Sequence, residues 1–108
     1  MNDQAVSRFW DNFISKLTSY GVKPGVLRWH VLHVEQYIKA HSHIKLAQHN
    51  ALTVEIYLKN KGRNTTLRDW QFSQMVTALE ILFVEIVNSS WAKDFPWQHW
   101  KNSARELP

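Results

Sequence analysis

The chain has 108 residues, 44% of them hydrophobic, with six tryptophans, no cysteine and a formal net charge of +4. That is enough apolar material for one domain burying roughly 65% of its unfolded surface, which argues against disorder. The lack of cysteine excludes disulfides and thiolate metal sites, and no apolar run reaches the ~18 residues needed to cross a bilayer.

Helical spacing of apolar residues recurs four times, and period-two alternation is nowhere sustained. The first helix is predicted from about Val6 to Tyr20, with Val6, Phe9, Trp10, Phe13, Leu17 and Tyr20 on one broad apolar face. Gly21 stands where a left-handed residue ends such a helix. The second starts near Pro24 and runs to about Ala40 on a stripe of Leu27, Val31, Val34 and Ile38, with Tyr37 beside it. HSHIKLAQH, residues 41–49, has no clear period and reads as a loop.

A third helix is expected over about Ala51–Lys61, burying Val54, Tyr57 and Leu58 and ending at Gly62. The fourth opens with Thr66 as cap and Asp69 three residues on, in capping-box spacing. Its stripe is Phe72, Val76, Leu79, Leu82, Phe83 and Ile86, with Met75 adjoining. The stretch ILFVEIV, residues 81–87, is apolar nearly all round, so it is either central to the core or covered by something outside the chain. A short last helix follows Pro96 and carries Trp97 and Trp100. The expected fold is all-α: a compact bundle of four main helices plus a short C-terminal one, forming a single domain over 1–108. Residues 103–108 read as the start of a linker.

Charge is unevenly placed. Residues 23–68 hold eight Lys or Arg against Glu35 and Glu55, a net of +6, whereas 1–22 sum to zero, 69–88 to −3 and 89–108 to +1. Five of the six histidines also fall within 23–68. A basic middle in a near-neutral chain points to a polyanion-facing surface. Lys61, Arg63, Asn64, Thr65, Thr66 and Arg68 gather around the predicted start of the fourth helix, where backbone N–H groups and the helix dipole favour phosphate. Lys23, Arg28 and Lys39 supply a second strip along the second helix, and Gln71 and Gln74 have the amide shape that reads adenine in a major groove. Trp10, Trp70, Trp97 and Trp100 are expected in the core or packed against it; Trp29, off the stripe beside Arg28, is expected to pack in the core or against a partner domain, with stacking on a base as the alternative.

Other chemistries find little support. No H-E-x-x-H or G-x-S-x-G pattern occurs, and three isolated glycines make no phosphate loop. Glu80 and Glu85 are five apart and roughly 140° from alignment on a helix, so they form no acid–base pair. The histidines read as surface residues or phosphate contacts, and no metal or other cofactor is expected.

Three phrases, FWDNFISKLTSYGVKPGVLRWHVLHVEQYIKA at 9–40, LRDWQFSQMVTALEILFVEIV at 67–87 and WAKDFPWQHWKNSAREL at 91–107, resemble the N-terminal core-binding domain of tyrosine recombinases. The likeness is nearest to the integron-integrase group. It implies a SAM-like helical domain that straddles one face of a recombination site, with a C-terminal catalytic domain closing from the other side. Mapped here, the second and fourth helices approach the DNA, and the contact set coincides with the basic strips. The family's chemistry is DNA strand transfer through a tyrosine nucleophile assisted by arginines and an H-x-x-R motif. No His in this chain has Arg three positions later. The expectation is therefore a cytoplasmic module that binds DNA without cutting it, partnered by a catalytic domain of the same chain and by other protomers, and not by membrane. The competing expectation is a helical protein–protein interaction domain that docks through ILFVEIV and the Trp-rich tail.

Overall fold

Helices form where apolar residues recur every three or four positions, and local chemistry ends them. The computed structural model describes residues 3–64 and 66–102. Their α-helices are α1 (Asp3–Ser19), α2 (Leu27–Ala40), α3 (Ala51–Gly62), α4 (Asp69–Ile81) and the short α5 (Trp97–Asn102), and no strand occurs among them. The all-α bundle of four main helices and a short fifth is therefore the fold. None of these helices is long and apolar enough to cross a membrane.

Gly21, at φ +90°, closes α1. The Val22 N–H reaches back to the Leu17 carbonyl and the Gly21 N–H to Thr18, both at 3.0 Å, which satisfies two carbonyls of the last turn. Pro24–Val26 forms a single 3₁₀ turn that leads directly into α2. Asn50 caps α3, its Oδ1 accepting the Thr53 N–H at 3.0 Å.

The core is built around α4, which packs against α2 and α5, while α1 lies across the end of α4 and the turn that follows. That turn, Leu82–Ile86, is π-helical. Ile81, Leu82 and Phe83 are completely buried. The first three residues of ILFVEIV are therefore central and present nothing to an outside partner, whereas Val84, Ile86 and Val87 are partly buried against the core. Trp97 and Trp100 are buried as well. The wider π turn also sets Glu85 toward α1, where its carboxylate accepts the Tyr20 hydroxyl at 2.8 Å and lies 3.6 Å from the Lys16 ammonium. The bond to Glu85, more than burial, pushes the Tyr20 hydroxyl up to about 12.

The structure corrects several expectations. Val6 and Tyr20 are exposed rather than core residues. Only Phe13 and Leu17 of α1 are fully buried, so Val6 overhangs the bundle and Tyr20 follows the last helical turn. Trp70 is 61% exposed. It precedes Phe72 by two residues, which sets it about 160° round α4 from the buried stripe. Trp29 is exposed too, which removes the core from its expected settings. His30 and His49 are buried, not surface residues. His30 Nδ1 donates to the Val26 carbonyl at 2.9 Å, and the Tyr37 hydroxyl lies 2.7 Å from His49 Nδ1. The expected linker at 103–108 lies outside the described residues.

Past the π turn, Asn88 adopts a left-handed backbone at φ 57°. Asn tolerates this region better than residues whose side chains cannot bond locally. Asn88→Ala should lower the urea-unfolding stability by about 1 kcal/mol, whereas Asn88→Gly should leave it nearly unchanged. Equal stability of all three proteins would show that φ is relaxed at no cost there.

Candidate nucleic-acid interface

The entrance to α4 is organised by side chains that bond their own backbone. Asn64 Oδ1 accepts both the Thr66 N–H at 2.9 Å and the Thr66 hydroxyl at 2.7 Å, an Asx turn. Gln71 Oε1 then reaches back to accept the Arg68 N–H at 2.8 Å. Thr66 is thus not the cap of α4: Arg68 holds that position, and because a guanidinium accepts no hydrogen bond, Gln71 supplies the capping contact. Thr65 lies outside the described residues.

This geometry leaves the cations turned outward. Arg63 and Arg68 are exposed, and among the described residues neither forms an ion pair. Lys61, in the last turn of α3, holds its ammonium 5.5 Å above the Tyr57 ring. Burial pushes the Tyr57 hydroxyl up to about 12, so the ring stays neutral beneath that cation.

Across from this turn lies one edge of α2. His33 Nε2 and Gln74 Oε1 are 3.0 Å apart, so Nε2 carries the proton and donates to the amide. Burial holds His33 below the usual histidine range; the Gln74 bond opposes this, while His30 and Lys61 reinforce it. One turn further along α2, Tyr37 meets Phe83, ring centroids 5.7 Å apart, just beyond the end of α4. The two helices therefore run in the same sense, with their N-terminal ends at one end of the bundle. Trp29 precedes His33 by four residues and Trp70 precedes Gln74 by four, so each indole lies one turn toward that end. Both are exposed, and the Arg28 guanidinium lies 4.8 Å over the Trp29 ring.

The expected site residues are only partly brought together. Lys61, Arg63, Asn64, Thr66 and Arg68 share the turn between α3 and α4. Gln71 and Gln74 stand beside it but are engaged, one in capping and the other between helices. Neither amide projects freely toward a base edge. Lys23, Arg28 and Lys39 are exposed. Arg28, however, lines the α1-facing flank of α2 with Leu32 and Glu35, and helical spacing puts Lys39 on the same side, the two about 120–140° round the helix from His33. Sequence reasoning missed Trp70 and His33 as neighbours of the cations. The polar flanks of Trp70 (Asp69 and Gln71) and its distance from the stripe were the available signal. No three His, Asp or Glu among the described residues are arranged to hold a metal ion.

Comparison with protein-family models, curated proteins and solved structures finds no match for this chain.

Proposed function

We propose that this chain is a DNA-binding module, gripping the phosphate backbone with the turn between α3 and α4 and the adjoining edge of α2. The observation that carries it is the pair Arg63 and Arg68, exposed and without an ion pair among the described residues, on either side of Asn64 and Thr66 at the start of α4. Unneutralised cations at a helix start suit phosphate, because each contact releases condensed counterions without first breaking an internal salt bridge. Lys61 extends the same positive surface toward α2.

The sequence phrases quoted above extend this reading to a site-specific tyrosine recombinase. In that role the module would hold the recombination site, and strand transfer would belong to a separate catalytic domain. Other protomers on the same DNA would be further partners. The chain's own residues supply positioning and electrostatic grip, with no cofactor.

An NMR titration of the labelled chain with a short duplex, at low and then physiological salt, tests this. Shifts should cluster on Lys61–Gln74 and on the Trp29–His33 edge, and weaken with salt. Arg63→Ala with Arg68→Ala should weaken binding to all sequences alike and reduce the log–log salt slope by about 1.8, two phosphate contacts' worth. Unchanged affinity in a folded double variant would remove the clamp.

A further inference from the structure

A cleft of about 380 Å³ opens between the first turns of α3 and the 91–96 segment that joins the π turn to α5. Its walls are Trp91, Phe95 and Trp100, its rim carries Glu55 and Asp94, and Ala51 adds only a methyl group. Trp91 and Phe95 meet edge to face, centroids 5.8 Å apart and planes at 76°, so two aromatic walls form a corner. The corner is fixed in place. The Trp91 indole N–H donates to the His49 carbonyl at 3.0 Å, and Trp100 packs against Phe72 at 6.4 Å. Such walls lose little freedom when something binds.

The rim inverts the charge of the surrounding chain. Asp94 is exposed and has no ion pair among the described residues. Glu55 is 3.4 Å from Lys59 in an exposed pair one helical turn apart, a contact weak enough to be exchanged for another cation. Aromatic faces and carboxylates both attract cations, and together they repel phosphate. The volume falls near the lower end of small-molecule sites, roughly 300–1,000 Å³, and suits one long side chain entering from the mouth. An aliphatic stem would lie along the rings while its charged end reaches the rim, as lysine and arginine side chains commonly do.

We propose that this cleft receives a lysine or arginine side chain from a partner protein. The inference is independent of the DNA-binding reading and concerns different residues.

The intact 108-residue chain can be titrated with Nα-acetyl-lysine methylamide and Nα-acetyl-arginine methylamide, using neutral Nα-acetyl-norleucine methylamide as control. The Trp91 indole and the Asp94 and Phe95 amides should shift and saturate in the millimolar range with a cationic probe. Asp94→Asn should weaken that binding roughly fivefold, the loss of one exposed charge contact. Glu55→Gln serves as a second variant if Asp94→Asn disturbs the spectrum elsewhere. Equal shifts with the norleucine probe would reduce the cleft to an apolar dent. No shift with either cation, or affinities untouched by both substitutions, would also overturn the proposal.

Discussion

Phe83→Ala should lower the folding stability by about 3–5 kcal/mol, measured by urea unfolding near neutral pH. Phe83 is completely buried, and its ring lies 5.7 Å from Tyr37, 5.9 Å from His49 and 5.1 Å from Trp91. It thus joins α2, the 41–49 loop and the 91–96 segment to the end of α4. Removing it opens a cavity among groups that cannot readily collapse, since Tyr37 and Trp91 are each held by a polar bond to His49. A domain of this size has only about 5–15 kcal/mol in total, so the loss should move the unfolding midpoint far toward native conditions. A change below 1 kcal/mol would mean that the 41–49 loop and the 91–96 segment are held by other contacts.

Stability should also fall as the medium is acidified from neutrality. Burial is the largest influence on His30, His33 and His49, and it lowers all three below their ordinary value of 6.5. Their opposing influences are the Val26 carbonyl, the Gln74 amide and the Ile44 backbone respectively. His49 Nε2 is itself buried and without a hydrogen-bond partner among the described residues. A depressed folded-state value means that the unfolded chain binds protons first. The stabilising contribution is therefore complete above 6.5 and is lost as pH falls from there through the depressed values. Each histidine that differs fully in protonation between the two states adds about 1.4 kcal/mol per pH unit to the slope. Urea midpoints between pH 7.5 and 5 should fall as the pH falls, and His49→Gln should flatten that dependence. A flat profile for the unmodified chain would show that these rings are protonated inside the fold at no cost.

Much of the fold was legible in the residues themselves. The stripe Phe72, Val76, Leu79 at helical spacing places α4 without knowledge of anything else, and Val54, Tyr57 and Leu58 are buried in α3 as their spacing implies. Gly21 is read correctly because the left-handed closing residue of a helix is a local demand. Asn50 as the cap of α3, by contrast, was overlooked although Asn before an apolar run is also a local signal.

The candidate site was less legible. The concentration of cations over 23–68 is visible in the chain, but which cations share a surface depends on the rotation of α2 against α1 and α4. That rotation turns the helix positions of Arg28 and Lys39 away from the edge that meets Lys61, although the Arg28 guanidinium reaches over the Trp29 ring. Thr66 looked like a cap by spacing, yet Asn64 captured it first, since an Asx turn needs only two residues to close.

By itself the sequence determined that this is an all-α bundle with a basic middle, because helical periodicity and charge are properties of neighbours along the chain. Only the tertiary structure decided that Trp29 and Trp70 are exposed at one end, that His30 and His49 are interior, and that Ile81, Leu82 and Phe83 are central to the core. Burial depends on what packs against a residue from distant parts of the chain, and pairings such as His33 with Gln74 or Tyr37 with Phe83, 41 and 46 positions apart, leave no local mark.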